Sequence, residues 1–225
     1  MAKVVTLERP LYSCAEAARL LDLWPATLRW WLEGGVRGGT VYPPVIRPEP
    51  TGVDVVTWGE FVEARLLNGY RQKRVSLQKM RPFIEGMRAS LGVPYPLAHC
   101  RPMVDPTKRK LIYDLQLETK LPREMYLVEF EGGQTALAPP MLQFLERVEL
   151  DDGDVPIRYW PEGRDSPVVI DPTVAFGVPQ IKGIRTELVA ESVAAGESEA
   201  TVARSWGLTP ADVKAAIDWE HRKAA

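Results

Sequence analysis

Apolar residues recur at helical spacing toward both ends of this 225-residue chain and lose that spacing between them. Near the start, Ser13 with Glu16 three residues on reads as a capping box, and Ala17, Leu20 and Leu21 follow as one helical face. Trp24-Pro25 announces a second helix through Thr27, Leu28, Arg29 and Trp31 until Gly34-Gly35 stops it. Two short helices with a turn of about three residues make a helix-turn-helix. Helical phase assigns Ala17, Leu20, Leu23, Leu28 and Trp31 to a core and turns Thr27, Arg29 and Trp30 outward; Trp24 sits at the turn.

The next stretch, VRGGTVYPPVIRPEPTGVDVVTW, sets Val41, Val45, Ile46, Val53, Val55 and Val56 among glycines and prolines. It reads as a two-stranded wing. Helices are predicted from Thr57 to about Gln72 and from Ser76 to about Leu91, with Pro82 kinking the second or delaying its start. From Gly92 to Pro172 the runs LIYDLQL, MYLVEFE, PIRYW and SPVVID suggest a small sheet, interrupted by one helix near Pro140 to Arg147. A turn centred on Gly183 then precedes three helices, with Thr186, Ser198 and Thr209 as caps. Leu188, Val193, Val202, Trp206, Val213, Ala216 and Ile217 are their expected shared core.

The expected fold class is α+β, mainly helical. It comprises a winged helix-turn-helix over residues 1–91, a small central β-sheet region over 92–172 that connects or dimerises, and a C-terminal β-turn plus three-helix domain over 173–225.

Charge changes this picture more than composition does. Residues 1–110 carry a net +7 and residues 111–225 a net −9, so a polyanion would be attracted to the first half alone. Two cysteines, Cys14 and Cys100, make neither a disulfide framework nor a four-ligand zinc site. No apolar run approaches the ~20 residues that span a bilayer, and the start has no apolar signal segment. A reduced, cytoplasmic protein without membrane contact is expected.

Catalytic motifs are missing: there is no P-loop, GxGxxG, GxSxG, HExxH or CxxC. His99-Cys100 reads as structural, and the acidic run Glu146, Glu149, Asp151, Asp152 and Asp154 as a solvated turn lacking EF-hand spacing. The expectation is no enzyme, no metal and no cofactor. Arg29, Arg37, Arg47, Arg71, Lys73 and Arg74 instead flank the second helix and are expected to neutralise DNA phosphates. Base readout falls to Ala26, Thr27 and Trp30, of which alanine and threonine suit thymine methyl groups.

Tyr12 to Trp31, YSCAEAARLLDLWPATLRWW, resembles the opening winged helix-turn-helix of the MerR superfamily, with Arg29-Trp30-Trp31 in place of that superfamily's Arg-Tyr-Tyr. Ala26 departs from it, since the superfamily usually carries a basic or polar residue there. Near the other end, DPTVAFGVPQIKGIRT, with Gly177, Pro179, Ile181, Gly183 and Arg185, is similar to domain of unknown function 433. A MerR-like head joined to this tail resembles a group of VapB-type antitoxins. That resemblance implies a homodimer that binds operator DNA, represses its own operon, and silences a PIN-domain ribonuclease toxin. It also implies toxin contact through the tail, with Pro179, Ile181, Lys182, Arg185, Arg222 and Lys223 as contact residues: either the acidic C-terminal half covers the nuclease's basic RNA groove, or Lys182, Arg185 or the Arg222-Lys223 tail reaches its carboxylates. The rival reading is a stand-alone regulator whose middle region senses a ligand or dimerises.

Overall fold

Local signals build the first elements. The computed structural model describes residues 7–71 and 76–224. Strand β1 (Pro10–Tyr12) leads into helix α1 (Cys14–Leu21), where Ser13 Oγ accepts from Glu16 N at 3.2 Å and Glu16 Oε2 accepts from Ser13 N at 2.8 Å. Such a reciprocal cap satisfies two backbone donors that the helix leaves unpaired. Pro25 opens α2 (Pro25–Glu33) where no backbone N–H is required. At Gly34 φ is +66°, and a Cβ would lie 2.2 Å from Tyr42 O, so only glycine lets the chain double back here. Strands β2 (Gly35–Arg37) and β3 (Thr40–Tyr42) follow as a hairpin in which Val36 faces Val41 across the ladder. Strand β4 (Val56–Thr57) returns to pair antiparallel with β1.

Helix α3 (Trp58–Arg71) is the axle of the first unit. It buries Trp58, Phe61, Leu66, Leu67 and Tyr70 almost completely. Three polar ends fix what packs on it: Trp58 Nε1 donates to Pro156 O (2.7 Å), Asn68 Nδ2 to Leu21 O (2.8 Å), and Tyr70 Oη to Tyr126 O (3.0 Å). After a 3₁₀ turn at Leu77–Met80, α4 runs Arg81–Leu91 with Pro82 in its first turn. Proline thus delays the α-helix rather than kinking it.

The middle corrects the sequence reading. The LIYDLQL segment is not a strand: after the short α5 (Arg101–Val104) it lies in helix α6 (Arg109–Glu118). Its apolar-rich run hides a helical face on which Ile112, Leu115 and Gln116 are buried. Tertiary contact decides the outcome, because the Gln116 amide accepts from Leu127 N (2.8 Å) and Val128 N (3.1 Å) and donates to Val128 O (2.8 Å). Hairpin β5 (Val128–Glu131) and β6 (Gln134–Leu137), helix α7 (Pro139–Leu145), and strands β7 (Val148–Leu150) and β8 (Pro156–Tyr159) complete the region. The SPVVID run supplies only bridges, Ile170 to Tyr159 and Val169 to Gln180. Every sheet among the described residues is two-stranded, so there is no single central sheet.

In the tail, β9 (Gln180–Ile181) and β10 (Ile184–Arg185) form a tight turn ahead of α8 (Thr186–Ala194), α9 (Glu199–Trp206) and α10 (Pro210–Ala224). Ser198 caps α9 through Thr201 N, and Thr209 and Asp212 form a reciprocal box at α10. Thr186 does not cap α8; it is buried, and its hydroxyl is engaged by Pro179 O and Glu220. Of the expected shared core, Val202, Val213 and Ala216 are buried and Val193, Trp206 and Ile217 half-buried; Val189 is buried in place of Leu188, which is exposed, and Trp219 joins them.

The fold class is therefore mainly helical α+β, with small antiparallel pairs of strands. By its contacts the chain forms two compact units, one reaching Leu145 and including Leu150–Pro156, the other made of Glu146–Glu149 and Ile157–Ala225. No helix among the described residues is long and apolar enough to cross a membrane.

Candidate functional site

The surface formed by α2 and the β2–β3 hairpin gathers several of the residues singled out from sequence. Leu28, Trp31 and Leu32 face the core, which leaves Ala26 and Arg29 exposed and Thr27 half-buried. Trp30 is not a free edge: its ring lies 5.5 Å from Tyr42, and a Cβ on Gly35 would meet it at 2.8 Å, so it braces the hairpin. The exposed tryptophan is Trp24, at 74%. Sequence phase missed it because it caps α2 from outside the helix, where helical periodicity does not apply.

At the hairpin, Arg37 stands exposed beside the Gly38–Gly39 turn and has no ion-pair partner among the described residues. Val36 and Val41 form an exposed cross-strand pair, 68% and 72% accessible. Arg29 lies 3.5 Å from Asp54, both about half in solvent, an arrangement that contributes little to stability. Arg71 is exposed at the end of α3. Lys73 and Arg74 lie outside the described residues.

Arg47 is a correction. Only 7% of its surface is accessible, and it binds Glu60 (2.7 Å), Glu33, and Val55 O (2.6 Å). Burial alone would raise the Glu33 carboxyl, but donors from Gly52 N and Thr51 and the Arg47 charge hold it below its ordinary range. The residue fastens the Pro43–Val56 loop to α2 and α3 instead of facing a phosphate. Prolines in that loop offer carbonyls without N–H donors, and α4 and the 3₁₀ turn before it supply the donors: Arg81 to Pro44 O and Pro48 O and Arg88 to Ile46 O from the helix, Gln78 to Pro43 O from the turn. A cation counted in the sequence can therefore serve as a strut.

The tail residues are similarly engaged. Pro179 and Ile181 are buried, which removes them from any contact surface in this conformation; the glycine–proline–isoleucine motif is packing. Lys182 reaches Asp212 at 2.8 Å, Arg222 pairs with Glu162, and Lys223 lies 4.8 Å over the Trp219 ring. Arg185 is half-buried at the start of α8.

Chemically reactive groups do not converge. Burial pushes the Cys100 thiol up and the His99 imidazole down. No group of three His, Cys, Asp or Glu residues able to hold a metal occurs among the described residues. Asp151 closes its turn by accepting from Gly153 N and Val155 N. A groove of about 830 Å³ between α6 and the β5–β6 tip is lined by Lys110, Tyr113, Asp114, Phe130 and Gln134.

Comparison with known proteins gives the following. Residues 168–219 match the family described as "Protein of unknown function (DUF433)". The chain is 34% identical over 225 residues to "Uncharacterized protein Rv2308" of Mycobacterium tuberculosis (strain ATCC 25618 / H37Rv), covering 97% of this chain and 93% of the relative. It is 28% identical over 223 residues to "Putative antitoxin VapB45" of the same organism, covering 93% of each. The crystal structure of Rv2018 from Mycobacterium tuberculosis superposes with a TM-score of 0.73 at 25% identity, covering 94% of this chain and 99% of that one.

Proposed function

The chain belongs to the same protein family as Rv2308, and from that premise we propose that it is an antitoxin, a cytoplasmic, non-catalytic protein that binds and silences a toxin. The observation that carries this reading is the relative spanning 93% of both chains whose name is that of an antitoxin. The finer form of the proposal is a PIN-domain ribonuclease as the toxin, with the α1–α2 pair and the β2–β3 hairpin acting as a MerR-like winged helix-turn-helix. In that form the protein binds its operator as a homodimer and represses its own operon. Exposed Arg29, Arg37 and Arg71 support the DNA part, since such charges neutralise phosphates.

Co-expression with the product of the neighbouring reading frame tests the antitoxin role. The neighbour alone should arrest growth, and the pair should grow and co-purify; a harmless neighbour, or one that does not co-purify, ends the proposal. DNA binding is tested separately, by the dependence of affinity for the upstream region on salt. Arg37→Ala should weaken binding and lower the slope of log affinity against log salt by about 1. An unchanged slope removes Arg37 from the interface.

The 830 Å³ groove favours one second reading, a stand-alone regulator, because its volume falls within the roughly 300–1,000 Å³ of ligand pockets. That reading requires operator affinity to change with a small molecule and needs no protein partner.

A further inference from the structure

The β5–β6 hairpin has one edge that is closed at its base and open at its tip. In an antiparallel pair, residues alternate between those whose N–H and C=O point into the ladder and those whose groups point out of it. Val128 points out, and its N–H and C=O are both taken by the Gln116 amide, at 3.1 and 2.8 Å. A single side chain thus stands where the backbone of a third strand would be. Phe130, two residues on, shares that phase, and no described residue takes its N–H or C=O. The opposite edge is met at Thr135, whose carbonyl accepts from Arg109 at 3.5 Å.

Side chains around the open position suit association. Phe130 is 58% exposed, with its ring 5.7 Å from Tyr113, which in turn meets Tyr126 edge-on at 6.2 Å. Tyr113 and Phe130 line both the large groove and an adjoining depression of about 310 Å³, which Tyr126, Arg123 and Glu129 also line. Arg123 and Glu129 are exposed and make no ion pair among the described residues. An aromatic edge flanked by one sign of charge would repel a copy of itself. This edge carries both signs, in Arg123 and Glu129, as association with a copy of itself about a two-fold axis requires.

We propose that a second copy of this chain docks here, β5 against β5 and antiparallel, with backbone pairing confined to Phe130 of each copy because Gln116 already holds the Val128 position. The aromatic groove is then the seat of the partner's Phe130, and Arg123 of each copy offers its charge to Glu129 of the other. An unpaired apolar edge is a template for such pairing. The proposal rests on the homodimer within the antitoxin reading and names its surface.

Sedimentation of the full-length chain between about 1 and 100 μM tests it, with hydrogen exchange of the Phe130 amide at both ends of that range. The wild type should dimerise, and the Phe130 amide, open in the monomer, should become protected at the higher concentration. Phe130→Asp and Phe130→Pro should weaken self-association at least tenfold. The proline removes only an N–H that faces away from β6, so the hairpin should persist. If either variant loses the wild-type circular dichroism, the exposed pair decides: Arg123→Glu weakens the dimer, and adding Glu129→Arg restores it. A monomer at every concentration overturns the proposal together with the dimer itself. Wild-type dimerisation in the folded variants, or a Phe130 amide that exchanges alike at both concentrations, overturns this surface and leaves the dimer to another one.

Discussion

The first helix pair and the last three helices start from the same local device and put their cations to different uses. Ser13 with Glu16, and Thr209 with Asp212, each cap a helix reciprocally. Around the first pair, cations divide into struts and exposed groups: Arg47, Arg81 and Arg88 bind loop carbonyls or buried acids, whereas Arg37 and Arg71 are left in solvent. In the second unit, Lys182, Arg222 and Lys223 are all met by Asp212, Glu162 and Trp219. Formal charge therefore overstates what either region offers a partner, and the excess is removed by different means. Loop carbonyls and buried acids take it up in the first region, acidic side chains and a tryptophan ring in the second.

The largest expected effect breaks the strut side of this contrast. Arg47→Ala leaves Glu60, 8% accessible, without its buried partner. Removing one member of a buried pair costs about 3–5 kcal/mol. Chemical denaturation should show a loss of that size, together with release of the Pro43–Val56 loop to proteolysis. A variant as stable as wild type but weaker on DNA would return Arg47 to the phosphate-binding set.

Changing pH should separate the two units. Burial raises the Glu63 carboxyl to about 8, although Oε1 accepts from Leu97 N at 2.8 Å; Oε2 is buried without a partner. The folded state binds this proton more tightly than the unfolded chain, whose value is 4.5. Stability of the first unit therefore falls as pH rises from about 4.5 to 8. At 1.36 kcal/mol per unit the loss is on the order of 2–4 kcal/mol. Glu63→Gln should flatten that slope. The second unit has the opposite sign. Burial would raise Asp171 and Asp212, but bonds from Thr173 and Arg158 to the first, and from Lys182 and Thr209 to the second, hold both below 3.8. Their stabilisation is present above 3.8 and is lost as pH falls through the lowered folded values. Parallel losses in both units across pH 4.5–8, read by hydrogen exchange, would contradict this assignment.

What the sequence revealed follows the range of the interactions involved. Caps, proline starts and glycine stops act within four residues, and Ser13, Pro25, Gly34, Ser198 and Thr209 could all be read directly. LIYDLQL became a helix through Gln116 bonding to a strand more than ten residues later, a contact that no local pattern carries. The candidate surface was legible in part for the same reason. Helical phase exposes Arg29 and buries Leu28 and Trp31. It cannot show that Arg47 turns inward to acids 13 and 14 residues away, or that Trp30 leans on Tyr42. The exposed Phe130 edge gave only a strand signal, because openness is a property of what packs beside a strand and not of the strand itself.

The smallest effect tests whether the two regions are independent. Ser13→Ala removes a hydroxyl that accepts from Glu16 N at 3.2 Å, and Ser198→Ala one that accepts from Thr201 N at the same distance. Each should cost about 1 kcal/mol. Ser13→Ala should cost slightly more, because the second bond of its hydroxyl goes to the Glu16 carboxylate, at 2.7 Å, whereas that of Ser198 is shared with the neutral Thr201 hydroxyl, at 2.9 Å. Hydrogen exchange should confine each loss to its own unit: faster exchange in α1 and α2 for Ser13→Ala, and in α9 and α10 for Ser198→Ala. On the proposed DNA-binding reading, Ser13→Ala also weakens operator binding, since α1 supports the exposed face of α2, while Ser198→Ala leaves it unchanged. If Ser198→Ala loosens α1 or lowers DNA affinity, the two units fold as one, and the contrast between struts and neutralised cations describes a single cooperative structure.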